Sequence, residues 1–395
     1  MTARNSFFLL LLLSFTCLGF ASCKEDPDDP QKEPIVLNCD DFQTAMTLAD
    51  DPDLPVDYII NCVMDVAANV TVNPGVVIEF GADAGINVTA NGAFKAVGTS
   101  AAPITMRGQG GTTGSWKGLL FNSSSANNQL DNVILRHAGS STFNTNNDTA
   151  AVVIWADAQL SIRNCEISNS GNFGVSAIYT NSNWSISNTR ITSCVDAPVT
   201  FLAPYLASFD GSNDFSGNSK NYLLLDLATQ SIQNSLTWRK SNVPYRITST
   251  YSLFHELLIE GGTLTIEAGT DIQMEDGNGI WVDENAALVA VGTAQEKITF
   301  SGTSGTPGGW SAIYFDANTT TNNELRHVNI SDAGATLDGE NTGILMRVNP
   351  TLTLDNITFS EITGCSIFNM DVIDNPNLTF SNLTHSNTNG NICHQ

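Results

Sequence analysis

"AVGTSAAPITMRG", residues 96–108, returns as "AVGTAQEKITFSG", residues 290–302. A phrase repeated this far apart marks an internal duplication, so the match was extended outward from it. With Gly98 set over Gly292, an offset of 194 residues, "VTVNPGVVIEFGADAGINV" (70–88) lies over "LTIEAGTDIQMEDGNGIWV" (264–282). No gap is needed from Val70 to Trp116, which falls on Trp310. One residue of slippage then places "NNQLDNVILRHAG" (127–139) over "NNELRHVNISDAG" (322–334). Upstream, "VDYII" (56–60) corresponds to "VPYRI" (243–247). The chain is a tandem duplication of a unit of about 190 residues, too long to be one elementary repeat.

Inside each copy the apolar runs are short: Val76 to Phe80, Ile86 to Val88, Ala93 to Val97, Ile104 to Met106, Leu119 to Phe121. They are rich in Val, Ile, Thr and Phe and are cut by Gly, Asn, Asp or Ser, which is strand-and-turn chemistry. Beyond the leader no window carries a helical stripe. In "TLTLDNITF" (351–359) the alternation points Leu352, Leu354, Ile357 and Phe359 to one side. Strands and turns recurring every twenty-odd residues let each strand pair with its counterpart one coil later, an all-β solenoid. A pair of β-sandwiches is the alternative, but it calls for longer alternating strands joined by hairpins. At about 22 residues per coil and about 4.8 Å between coils, the solenoid has about sixteen coils over about 75 Å. Asn is expected at the corners, where its amide tolerates unusual backbone angles and bonds along the stack.

"TLTIEAGTDIQM", "AALVAVGTAQEKITFSG" and "GGWSAIYFDANTTTNNELRHVNISDAG" resemble right-handed parallel β-helix proteins of the pectin-lyase-like superfamily. Among these the chain is most similar to surface lipoproteins of Bacteroidota, and "LTWRKSNVPYRI" (236–247) resembles the entry strand of that module. The resemblance covers most of 55–200 and 236–385. It implies a fold and leaves activity open, because lyases, hydrolases, adhesins and inert spikes share it. The expected organisation is a leader over 1–22, a tether over 23–38 and two β-helix halves, 39–210 and 211–395. "GSNDFSGNSKNYLLL" (211–225) reads as a further coil that makes the two halves continuous.

The N-terminus gives a compartment. "MTARNSFFLLLLLSFTCLGFASC" has Arg4, a short apolar run from Phe7 to Leu13, and small residues before Cys23. The run is too short for a good membrane span and resembles a bacterial lipoprotein signal, with Cys23 as the lipidated residue. Several acyl chains would hold the protein firmly to a membrane. "KEDPDDPQKEP" (24–34) is acidic and proline-rich, a solvated tether, and resembles a surface-export signal of Bacteroidota lipoproteins. An outward-facing outer-membrane location is expected, with the periplasmic side as the alternative.

The formal charge is −24. Nucleic acid is disfavoured as a partner, since binding it needs clustered Lys and Arg. The acidity suits an exposed, soluble surface. Beyond Cys17 and Cys23 six cysteines remain, an even number that suggests disulfides in an exported protein. Contacts in a solenoid are local, which favours Cys39–Cys62, Cys165–Cys194 and Cys365–Cys393.

No residue is expected to be catalytic. The Gly-His-Gly, Asn-Thr-Asp and Arg-Ile-Lys strings of polygalacturonase-like enzymes are absent. Arg136 with His137 and Arg326 with His327 are the best candidates for chemistry, but the two pairs do not coincide in the alignment. They read as solvated strand or corner residues. No metal or cofactor is expected; Ca²⁺ is the one ion considered, with Asp276, Asp283 and Glu284 as its oxygen donors, though their spacing is not that of a Ca²⁺ loop. Trp116 and Trp310 share one position and read as packed corners. Of the unshared tryptophans, Trp155 and Trp281 are the surface candidates for stacking on sugar rings. Asp148-Thr149-Ala150 resembles the O-glycosylation motif of Bacteroidota, with Thr149 as acceptor in a polar, exposed loop. The expected function is adhesion or glycan binding at a cell or host surface. The alternative is a polysaccharide lyase or glycoside hydrolase, and a purely structural spike is a third reading.

Overall fold

The computed structural model describes residues 32–395 except 146–147, 181–182, 204–208, 228–230, 250–254, 320–322 and 372–373. The leader, Cys23 and the tether up to residue 31 lie outside the described residues. Residues 34–395 form one unit, an all-β solenoid of about 13 turns with almost no helix. The stack starts earlier than expected. Ile35–Leu37 already pairs with Tyr58–Ile60, inside the stretch read as tether. The turns are fewer than sixteen because the coils are longer. Lys220 reaches Asp196 across 24 residues, Arg107 reaches Glu79 across 28, and the Leu288 amide reaches Asn323 across 35.

Most coils carry three short strands; in Asn323–Ser331 and Leu352–Ser360 two of them run together as one, and every strand pair in the stack is parallel. In the first copy face one runs from Ile35–Leu37 through Val77–Phe80 and Val133–Arg136 to Arg190–Thr192. Face two runs from Met46–Leu48 through Ala93–Val97 to Asn183–Ser187. Face three holds Gly85–Val88, Gly118–Phe121, Ala150–Ala156 and Phe173–Thr180 and continues to Leu223–Asp226. Inward side chains alternate with outward ones; Leu352, Leu354, Ile357 and Phe359 are all fully buried, as their pattern predicts.

The opening phrase is a corner. A Cβ on Gly98 would sit 2.6 Å from the Asn132 carbonyl oxygen of the next coil, and one on Gly292 would sit 2.7 Å from that of His327. The following threonine closes the turn in both copies: the amides of Ala102 and Glu296 donate to Thr99 and Thr293 Oγ1, each at 3.0 Å. Trp116 and Trp310 also repeat their bonds. Their Nε1 atoms donate to the carbonyls of Arg136 (2.9 Å) and Ser331 (2.7 Å), and both rings are fully buried. The phrase recurs because close approach admits only glycine there and the corner needs its cap.

The copies are not stacked like on like. Tyr245–Thr248 corresponds in sequence to Tyr58–Ile60 of face one, yet it pairs with Leu223–Asp226 of face three. The second copy is therefore turned by one face out of three about the solenoid axis. Equivalent surfaces of the two copies do not join into one stripe.

Asparagines hold the corners. Asn132, Asn164 and Asn188 have φ of 51°, 53° and 45°, and Asn356 and Asn382 do the same in the second copy. Asn188 Nδ2 donates to Asn164 Oδ1 at 2.7 Å, and Asn164 Nδ2 to Asp131 Oδ1 at 2.8 Å, a ladder along the stack.

Two of the three expected disulfides are present, Cys39–Cys62 and Cys365–Cys393. The third is not. Cys165 and Cys194 are free and buried. The register explains it. Ser168 pairs with Thr192, so Cys194 stacks over Ser170, five residues along the coil from Cys165. That is on the order of 15 Å in extended chain, far beyond disulfide reach. Burial pushes both thiols up to about 12.

Candidate ligand-binding face

In the second copy, the equivalent of face three is built from Glu256–Ile259, Gly279–Val282, Ile313–Asp316, Thr342–Arg347 and Cys365–Asn369. Their register puts Leu258, Trp281, Tyr314, Leu345 and Phe368 in one outward column. An outward column on a solvated sheet should be polar. This one is apolar and aromatic. The Trp281 and Tyr314 ring centroids are 4.7 Å apart. Trp281, Phe368 and Met370 are half-buried, whereas Tyr314 and Leu345 are fully covered. The cover is the strap over residues 335–341, which lays Leu337 on the column.

Trp281 Nε1 is shielded from solvent with no hydrogen-bond partner, and the shielded Tyr314 Oη meets only the Asp338 carboxylate of the strap. Burial, and after it the Asp316 charge, pushes the Tyr314 phenol pKa up. At the column's edge Arg347 pairs with Asp316, and its guanidinium lies 5.9 Å from the Tyr314 ring centroid.

Face three of the first copy has the same device. Leu120, Ala150 and Val153 form the covered patch, with Phe143, Trp155 and Phe173 packed around it. The strap residues 140–145 and 148–149 are fastened by polar bonds. Lys117 Nζ donates to Ser141 Oγ and to the Thr142 carbonyl, both at 2.8 Å. Ser140 and Ser141 donate to Asp83, which lowers that carboxyl's pKa, and Ser176 donates to Asp148 at 2.8 Å. Asp148 is itself raised by burial. The stretch read as an exposed polar loop is therefore partly folded down, and Thr149 is half-buried, its carbonyl accepting from the Phe173 amide. Phe143 is the reason: one aromatic in a polar stretch pulls it onto the sheet.

Both expected stacking tryptophans thus lie at the edges of covered apolar patches, Trp155 in the first copy and Trp281 in the second. Trp184 and Trp238 are core. Tyr314, Leu337 and Phe368 were not singled out from the sequence. The signal was the unbroken apolar run: "AIYF" (312–315) and "GILM" (343–346) leave no polar outward position, as strands covered on both sides do.

The other candidates do not converge. Arg136 bonds Glu166 at 2.8 Å and Arg107 bonds Glu79 at 2.9 Å, while Arg326 pairs with Glu324. His137 and His327 occupy left-handed corners, with φ of 66° and 48°. Burial, then Arg136 and Arg107, lowers the His137 pKa, so its imidazole is neutral at neutral pH. Asp276 lines a groove of about 410 Å³ with Ser249, Glu275, Asn278 and Thr303. Asp283 and Glu284 stand at the other end of Gly279–Val282, roughly 13 Å of strand away, so these three acids do not share a site. Among the described residues no group of three or more His, Cys, Asp or Glu side chains is placed to hold a metal ion. A second groove, of about 490 Å³, lies along the asparagine ladder, lined by Pro103, Asn132, Ile134, Asn164, Glu166 and Arg190. Comparison with protein families, with curated proteins and with solved structures finds no match to this chain.

Proposed function

We propose that this protein is a lipid-anchored, surface-displayed β-solenoid that binds an extracellular glycan without turning it over. The observation that carries the reading is the half-buried Trp281 packed against Tyr314, the rings tilted by 46°, in an apolar column of an otherwise acidic molecule. Flat aromatic rings with a few sheltered polar atoms are what sugar faces dock on. The resemblance of the sequence to surface lipoproteins of Bacteroidota supports the anchoring. Trp281→Ala should weaken binding to glycans on a microarray by roughly tenfold, the equivalent of one aromatic stack. Unchanged binding would move the site elsewhere. Anchoring is tested separately. Cys23→Ala should release the protein from membranes, and an unacylated native N-terminus by intact mass would remove that claim.

A second reading, a polysaccharide lyase or hydrolase, draws on the neutral His137 beside Arg136 and Arg107 on face one. It requires an arginine to leave its carboxylate partner when substrate arrives.

A further inference from the structure

We infer that the strap over residues 335–341 is a displaceable cover, and that Tyr314 beneath it is a second sugar-stacking position next to Trp281. The inference rests on the glycan-binding reading above and extends it.

Three observations carry it. First, Tyr314 belongs to the same outward column as Trp281 and Phe368 and differs from them only in being covered. Without Leu337 the rings of Trp281 and Tyr314, tilted by 46°, would be two neighbouring uncovered surfaces. Their 4.7 Å separation matches the spacing of adjacent coils, so a sugar chain lying along the solenoid axis meets both.

Second, the covered state leaves a donor unsatisfied. Trp281 Nε1 is sealed from water without a partner, and Tyr314 Oη has only Asp338, which leaves with the strap. A sealed, unpaired donor is a cost that the closed state bears and a ligand can relieve. Both donate hydrogen bonds, so the complementary ligand presents acceptor oxygens beside an apolar face. That is the chemistry of a hexose or pentose ring: hydroxyl and ring oxygens at its edge, C–H groups on its face.

Third, the two straps are fastened differently. The first copy's strap is bonded to the sheet through Lys117, Asp83 and Ser176. Apart from Asp338, which reaches the Tyr314 phenol, the bonds of the second strap run within it or at its base. Leu337 and Glu340 exchange main-chain bonds at 2.9 Å. Asn341 Nδ2 donates to the Gly334 carbonyl and to Thr336 Oγ1. The amides of Gly334 and Ala335 bond the carbonyls of Ser311 and Trp310 at the strap's root. Asp338, on the strap, acts on the Tyr314 phenol and adds to its raised pKa. Lifting the tip as a hairpin therefore gives up the Leu337 packing and the Asp338 contact and keeps the backbone bonds.

The test is nitration of tyrosines by tetranitromethane on the whole protein, mapped by peptide mass spectrometry, in wild type and Leu337→Ser. Tyr245 is the internal control, since it is core and donates to the Arg239 carbonyl at 2.6 Å. Tyr314 should react slowly in wild type and at least tenfold faster in Leu337→Ser, with Tyr245 unreactive in both. Cello-, xylo-, manno- and maltohexaose are then added in turn, and one of them should protect Tyr314 and bind more tightly to Leu337→Ser. A Tyr314 that stays unreactive in both proteins overturns the cover. Ready reaction at Tyr314 with sugar bound at Trp281 but no protection overturns the second position and leaves the glycan reading standing. Ready reaction with no sugar bound to the protein overturns the glycan reading and the second position together.

Discussion

Trp310→Ala should destabilise the second copy by about 3–5 kcal/mol, the range for emptying a fully buried aromatic site. The ring is wholly buried and its Nε1 satisfies the Ser331 carbonyl at 2.7 Å. Alanine leaves a cavity at this corner and strips that carbonyl of its donor. Trp310→Phe restores much of the volume but not the bond, so its cost should fall to about 1–3 kcal/mol. Because a solenoid is held by nearest-neighbour contacts, the loss should stay local. Hydrogen exchange in denaturant should show the strands Asp271–Met274, Ile298–Gly302 and Leu352–Ser360 opening early, while those of the first copy keep their protection. Uniform loss across both copies would contradict the one-dimensional picture. The matching change at Trp116, which also stacks on Phe80 at 3.8 Å, should open the first copy instead.

Cys393→Ser should destabilise the C-terminal coils by about 3 kcal/mol, since the bond closes a loop of 28 residues. It ties Cys365–Asn369 to Gly390–His394 across the register that sets Phe368 beside Cys393. These last described strands lean on the stack from one side, and Phe380 is already 52% exposed. Limited proteolysis should then cut faster within "DNPNLTFSNLTH" (374–385) than it does in the oxidised protein. Equal resistance in the two proteins would show that stacking alone holds the end. Cys165→Ala and Cys194→Ala remove free buried thiols, not a crosslink, and should cost only about 1 kcal/mol each through lost packing. Labelling with a thiol reagent after denaturation should find both unpaired.

Much of the fold was legible because its causes are local. Gly98 and Gly292 recur since a Cβ would strike the next coil, and the Asn132–Asn164–Asn188 corner could be expected from the φ that asparagine tolerates. Period-two alternation placed Leu352 and Phe359 in the core. What the sequence hid depends on register between coils. Coil length varies with loop insertions, so counting at one average period overestimates the turns. The turn of the second copy by one face arises at the junction between Val199–Leu202 and Tyr245–Thr248, where the repeat pattern itself is lost. The Cys165–Cys194 pairing looked local in sequence, but only the Ser168–Thr192 register shows that the two thiols lie at opposite ends of a strand. The candidate site was half legible. Trp155 and Trp281 stood out because they lack counterparts in the other copy. Their surroundings did not, because a strap such as 335–341 reads as a solvated turn until Leu337 is seen lying on Tyr314.

The claim that this surface binds and does not process its ligand is tested most directly by one incubation. The wild-type protein is mixed with a panel of plant, algal and host polysaccharides, with and without Ca²⁺. Retained polysaccharide and new chain ends are measured on the same samples. Retention of at least one polysaccharide with no new ends, lost in Trp281→Ala, is the predicted result. New reducing or unsaturated ends that survive Trp281→Ala and vanish in His137→Asn would contradict it and place the activity on face one.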